Sequence, residues 1–323
     1  MAASTNNSLK SFIILNLRTV FADLYSVYQL FPITSLLENG SFMTITATDL
    51  VKKSSGIYAL PEIHNRLTRT LEDPSASNAQ IADIVQLDAG LSASLLRIVN
   101  SAFYGFPSSI STISQAISII GRTELADLVL GQSAMNVFNH LNISKKTLNA
   151  HWHHSLLCGL VARQMAGTVE NCEQSPESLF VAGLLHDIGK LVIWNELPDQ
   201  SSQLIKYTGG ASADYLEAEQ SEFGFGHTEV GAQLLNNWKL PEMLIAAARH
   251  HHTPGSAENF KQACQIIFIA NEIAQADKLD EAFFDWINSE KDAEQLGYDL
   301  QQMSENLEIA NSQFSEMSAM FSP

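Results

Sequence analysis

The side chains of this sequence best suited to chemistry are His154, the adjacent pair His186-Asp187, His227 and the triplet His250-His251-His252. Imidazole nitrogen and carboxylate oxygen are the donors that borderline divalent metals prefer, and several arriving from separate helices can enclose an ion. The chemistry on offer is metal-assisted: a bound cation polarises an oxygen and lowers the pKa of its water towards ~7. A single histidine on an apolar helix is usually a core residue, so the signal lies in the joint occurrence. Of the ten histidines, eight lie from His151 onward.

The pair stands in Ala182-Gly183-Leu184-Leu185-His186-Asp187-Ile188-Gly189-Lys190, which reads as an apolar helix ending at a glycine. Neighbouring helical side chains lie ~100° apart, so both can meet one ion only where the helix end points at it. Gly189 is expected to supply that end. Asp187 is the one assured carboxylate of the set, so the centre is expected to be rich in imidazole and poor in negative charge.

The surrounding elements read as helices. Ile110, Ile113, Ile117 and Ile120 recur on one face before Gly121 as a stop, Leu91, Leu95 and Ile98 do so before Asn100, and Ile63, Leu67 and Leu71 before Asp73-Pro74. Turns fall at Gly105-Phe106-Pro107, Gly209-Gly210 and Thr253-Pro254-Gly255, and no run alternates with period two long enough for a sheet. The fold class is therefore all-α. A break around Asn142-Ile143-Ser144 separates a histidine-poor lobe, residues 43–140, from a histidine-rich lobe, residues 141–323.

Residues 1–42 differ in texture and read as a poorly packed extension, or as the product of a start placed too far upstream, with Met43 as a second plausible start. An amphipathic helix opens at Asp49, with Thr48 or Asp49 available as its N-cap. From Gly255 onward 13 Asp or Glu stand against Lys261, Lys278 and Lys291. In that acidic tail Leu300, Met303, Leu307, Ala310, Phe314, Met317 and Phe321 form one apolar stripe, expected to pack on its own domain, with a homodimer seam as the alternative.

Composition sets the outer bounds. The chain has 323 residues, 46% hydrophobic and 16% charged, with a mean hydropathy of +0.01. These values exclude a disulfide-stapled miniprotein, a disordered tail and a membrane bundle. A net charge of −17 repels phosphate backbones and disfavours broad nucleic-acid binding. Cys158, Cys172 and Cys264 show no CxxC spacing, which fits a reducing compartment and predicts a cytoplasmic protein. The apolar run Phe12 to Leu17, broken by Arg18, is shorter than the ~20 residues of a membrane span.

Leu184-Leu185-His186-Asp187-Ile188-Gly189-Lys190 resembles the signature of the HD superfamily of metal-dependent phosphohydrolases, and His154 resembles its first metal ligand. His227 in Gly226-His227-Thr228-Glu229-Val230-Gly231, and His251-His252 after Leu240-Pro241-Glu242, look like the extra histidines of its two-metal members. Leu60-Pro61-Glu62-Ile63, the string Leu95-Leu96-Arg97-Ile98-Val99-Asn100-Ser101-Ala102-Phe103-Tyr104-Gly105 and Ala116-Ile117-Ser118-Ile119-Ile120-Gly121 narrow the resemblance to the HDOD domain, a bacterial HD-related output domain. The resemblance runs from about Leu50 to Ile273 and implies a two-lobed helical architecture with an HD-like bundle as the second lobe.

Two departures stand out. Catalytic HD proteins carry a last ligand Asp where Ile269-Ala270-Asn271-Glu272 offers Asn271, a neutral amide that weakens metal affinity and water activation. Leu87-Asp88-Ala89 replaces the Asp-Pro usual in HDOD domains.

The resemblance implies a regulatory signalling module acting through protein-protein contacts, with a residual histidine pocket for one or two ions of manganese, iron, nickel or zinc. The alternative is a metal-dependent phosphodiesterase or nucleotide phosphatase. There His154, His186, Asp187, His227, His251, His252 and Asn271 are the metal set, Asp187 and Lys190 the catalytic residues, with Lys190 facing the phosphate. The partners implied are a signalling protein and, by analogy, a nucleotide or cyclic dinucleotide, with no membrane. Asn100, Ser101, Phe103 and Tyr104 are candidates for a contact surface, against a structural role in a turn and core.

Overall fold

A computed structural model of the chain describes residues 45–54, 56–71, 73–139, 141–208, 213–276, 278–289 and 296–320, and no strand occurs among them. The readings on residues 1–42, Met43, Gly209-Gly210 and Phe321 lie outside these residues.

The N-terminal helices are α1 (Ala47–Lys53), α2 (Glu62–Leu71), α3 (Asn78–Val85), α4 (Ala89–Val99), α5 (Ile113–Ile120) and α6 (Arg122–Phe138). Thr46, Ser77, Asp88 and Thr112 open α1, α3, α4 and α5, each accepting the amide hydrogen bond of the third helical residue. The cap of α1 is thus Thr46 and neither Thr48 nor Asp49. Asp49 is the third helical residue, and its carboxylate accepts from the Thr46 amide at 3.2 Å, which closes a capping box.

The isoleucine face of α5 is buried at Ile113 and Ile117, and Gly121 ends the helix at φ 104°, a conformation open to glycine. Ile110 precedes that helix. Its backbone is held by Asn100, whose Oδ1 accepts from Ile110 N at 2.7 Å and whose Nδ2 donates to Ile110 O at 2.8 Å. Ser101 and Phe103 are buried beside it. The Asn100–Gly105 string therefore shapes a loop and fills core, and the contact surface expected of Asn100, Ser101 and Phe103 is spent on the chain itself.

The remaining helices are α7 (Lys145–Thr168), α8 (Pro176–Leu185), α9 (Ile188–Glu196), α10 (Pro198–Thr208), α11 (Ala213–Phe223), α12 (His227–Asn237), α13 (Glu242–His250), a 3-10 turn at Pro254–Ser256, α14 (Lys261–Gln275), α15 (Glu281–Ser289) and α16 (Leu300–Met320). The 24-residue α7 is the spine, with α8, α14 and α16 packed along it. One hydrophobic core runs from Leu50 to Met317.

Helix α16 turns Met303, Ala310 and Met317 fully inward and adds Leu307 and Phe314 at the edge. Glu316 accepts from the Ala102 amide at 2.9 Å and Gln313 donates to the Ala102 carbonyl at 3.2 Å. The apolar stripe of the acidic tail therefore packs on its own chain. No described helix is long and apolar enough to cross a membrane.

Candidate metal centre

Two backbone crossings bring the histidines together. A Cβ on Gly183 would stand 2.6 Å from the Gly159 Cα, so α7 and α8 cross with backbone against backbone. That contact sets His154 of α7 beside His186, their rings 5.3 Å apart. A Cβ on Gly189 would stand 2.6 Å from the Gly231 nitrogen, so α9 and α12 meet just as closely. That second contact sets Asp187 beside His227, the first residue of α12.

The apolar helix α8 ends at Leu185, not at a glycine: His186 is its C-cap, Asp187 is the N-cap of α9, and Gly189 lies inside α9. The role of Gly189 is the close approach to α12. The chain turns between two helices at the pair itself, which lets both side chains face one point.

Asp187, His227, His251 and His252 each offer a ligand atom, all within 4.8 Å of one another. Asp187 Oδ1 lies 3.3 Å from His227 Nε2 and 3.4 Å from His251 Nε2, and His227 Nε2 lies 3.4 Å from His251 Nε2 and 3.2 Å from His252 Nε2. Ligands ~2.1 Å from a tetrahedral ion stand ~3.4 Å apart, so these separations fit one. The far nitrogens are tied back: His227 Nδ1 to Glu219 Oε2 at 2.6 Å and His251 Nδ1 to the Ala248 carbonyl at 3.0 Å. Such ties fix the tautomer that leaves Nε2 as the ligand atom. The buried Asp187 Oδ1 makes no hydrogen bond, as expected of a ligand atom awaiting an ion.

A second group, His154, His186 and Asp187 Oδ2, faces the other side of the same carboxylate. His186 Nδ1 donates to the Gly183 carbonyl at 2.7 Å and its buried Nε2 makes no hydrogen bond. This side is already partly satisfied by the protein. Lys190 Nζ sits 2.6 Å from Asp187 Oδ2, buried, and 5.6 Å from the centroid of the Tyr215 ring. Lys190 is thus held by Asp187 in this arrangement.

Asn271 lies 3.0 Å from His154 Nε2 through Oδ1. Its orientation is fixed by Gln275, which donates to Oδ1 at 2.7 Å, and by Glu272, which accepts from Nδ2 at 3.1 Å. An amide oxygen there requires His154 Nε2 to be the donor, which withholds its lone pair from an ion.

The electrostatics follow from burial. Burial opposes the Asp187 carboxylate, yet the charges of His186 and Lys190 hold it well below the usual range. Burial pushes His251 down to about 3, and burial followed by the charge of His186 brings His154 to about 3. Burial and the charges of His251 and His227 also push His252 down. Neutral imidazole is the form that binds a cation. Burial is overcome at His227 by Glu219 and at His186 by Asp187, so both are raised.

The residue that the sequence reading missed is Glu219 on α11, fully buried, whose Oε2 also accepts from the His227 amide at 2.8 Å. It gives the centre a second carboxylate, so the negative charge is less scarce than the sequence alone suggests. His250 of the triplet points elsewhere and pairs with Ser256 at 2.8 Å. Trp152 and Trp194 are core residues around the buried His151.

The HDOD domain family model matches residues 57–254. An uncharacterized protein of Treponema pallidum (strain Nichols) is 26% identical over 229 residues, 71% of this chain and 44% of that protein, so the chain spans less than half the length of this curated relative. A solved protein of Shewanella amazonensis SB2B, provisionally named a phosphohydrolase, superposes with a TM-score of 0.69 at 23% identity, over 84% of this chain and 97% of its own. A Marinobacter aquaeolei VT8 protein, provisionally named for signal transduction, gives 0.65 at 18%, over 93% of this chain and 65% of its own. At these identities the structural likenesses establish the helical fold.

Proposed function

Because the chain belongs to the HDOD domain family, we propose that it is a regulatory module of bacterial signal transduction, acting on a signalling protein through the helices of residues 43–140, with residues 141–323 as the HD-like lobe. In this reading Asp187, His227, His251 and His252 hold one divalent ion, and His154, His186 and Asn271 line the other side of Asp187 without completing a second site. Three imidazoles and one carboxylate suit zinc, iron, nickel or manganese, in keeping with ligand preference. Such an ion supplies Lewis acidity when bound.

One observation carries the regulatory reading. Asp187 Oδ2 is paired with Lys190 at 2.6 Å and His154 Nε2 is engaged by Asn271 at 3.0 Å, so the half of the cluster that a second ion would need is occupied by the protein's own groups. A mononuclear centre with Lys190 buried against its carboxylate supports the module over the phosphohydrolase.

The second reading is a phosphohydrolase, a phosphodiesterase or nucleotide phosphatase with Asp187 and Lys190 as catalytic residues. It draws support from the two oxygens of Asp187 facing two imidazole groups, and from Glu219 as a second buried carboxylate. The provisional name of the Shewanella amazonensis protein points the same way. Metal analysis of untagged protein decides between them when followed by phosphodiesterase and phosphatase assays with added manganese, iron or nickel. Metal without turnover supports the module; turnover abolished in Asp187→Ala supports the enzyme.

A further inference from the structure

A concavity lies where α2 faces the C-terminal end of α12, and none of the clustered metal-site residues lines it. Its volume is about 700 Å³, inside the ~300–1,000 Å³ range of sites that take cofactor-sized ligands. The cleft joins three kinds of recognition group.

The first is positive charge. One carboxylate, Glu62, stands against Arg69 and Lys239 in the lining. Arg69 is braced by Glu62 at 2.8 Å and by the Asn65 carbonyl at 3.2 Å, which presets its guanidinium fork. Lys239 has no carboxylate within ion-pair distance among the described residues. It occupies the residue that closes α12, at φ 57°, where the backbone favours glycine. In a chain of net charge −17, a lining with this excess of cations is a local exception.

The second is an aromatic wall. The Trp238 indole N–H donates to the Tyr58 carbonyl at 2.6 Å, which locks the ring plane. The third is a set of uncharged polar groups. Asn65, Thr68 and Asn237 line the cleft, as does His64. A flat ring, amides and a hydroxyl, and two cations in one lining together match a heterocyclic base, ribose hydroxyls and a phosphate dianion.

We propose that this cleft binds a nucleoside monophosphate, with Arg69 and Lys239 on the phosphate and Trp238 against the base. The site is independent of the metal centre and of the proposed function.

The test is calorimetric titration of the metal-stripped full chain with AMP, GMP, CMP and UMP, and separately with inorganic phosphate. Saturable binding of at least one nucleotide is expected, weakened about tenfold or more in Arg69→Ala and in Lys239→Ala, as for lost charge-assisted contacts. Both positions are exposed, and unchanged circular dichroism shows the variants to be folded. The proposal falls on any of three results: no saturation by any of the four nucleotides up to ~10 mM, well above a weak ~1 mM site; inorganic phosphate binding as tightly as the best nucleotide; or binding indifferent to both substitutions.

Discussion

At the scale of single residues, the centre depends on how each imidazole is held as much as on which imidazoles are present. Glu219 grips His227 through both its backbone and its ring at 2.8 and 2.6 Å. Glu219→Gln is expected to leave the helical content unchanged and to lower metal affinity about 10- to 100-fold, the usual effect of removing such a support. Competition against a chelating dye measures it. Asn271 acts in the opposite sense by engaging His154 at 3.0 Å. Asn271→Asp adds an anion beside His154, and metal content is expected to rise from one ion per chain towards two by plasma emission analysis. An unchanged content would contradict the role given to Asn271.

Asp127 provides a pH-dependent check away from the metal. Burial, reinforced by Glu124 and Glu177 and opposed by the Ser178 hydroxyl, raises its carboxyl from 3.8 to about 6. A carboxyl that holds its proton more tightly in the folded state stabilises the fold fully below pH 3.8 and loses that contribution as pH rises through about 6. Asp127→Asn should therefore stabilise the protein at about pH 7.5, by on the order of 1–2 kcal/mol, with the gain gone near about pH 4 in urea melts.

Much of this scale was readable beforehand. The type and grouping of His154, His186, Asp187, His227, His251 and His252 named the cluster. Glu219 was not readable, because in α11 it stands among Glu217 and Glu222 as one acid in a polar helix, and nothing in a single sequence separates the buried one from its solvated neighbours.

At the scale of elements, the centre is an outcome of helix crossings. Gly159 against Gly183 and Gly189 against Gly231 let two helix pairs touch through their backbones, and the ligand atoms sit just beyond those contacts. Gly183→Ala would place its Cβ 2.6 Å from the Gly159 Cα, with backbone rather than a flexible side chain in the way. A loss of about 3 kcal/mol or more is expected from such overpacking, together with weaker metal binding. Denaturant midpoints read the first effect, and a midpoint equal to wild type would contradict the crossing's importance.

The helices themselves were evident from apolar spacing, as the buried faces of α4 and α5 show. The break between α8 and α9 was misplaced for a definite reason. A glycine that ends a helix and a glycine that lets another helix approach leave the same letter in a sequence, and only the neighbour at Gly231 tells them apart.

At the scale of the whole molecule, an acidic all-helical chain encloses an imidazole-rich interior. The net charge of −17 predicted poor nucleic-acid binding, yet it gave no hint of the locally positive cleft beside α2, because that cleft joins residues as distant as Arg69 and Lys239. The family match ends at residue 254, while α14 and α16, beyond it, supply Asn271 to the centre's edge and the buried stripe against α7.

In the proposed regulatory module, the chain closes one ion site and fills the other half of the cluster with its own groups. Metal stoichiometry and phosphoester turnover, measured on one untagged preparation of the full chain before and after chelation, test it most directly. One ion per chain, removable by chelator, with no phosphoester cleavage in either state is the expected result. Two ions per chain with turnover lost in Asp187→Ala, or no ion at all, would contradict it.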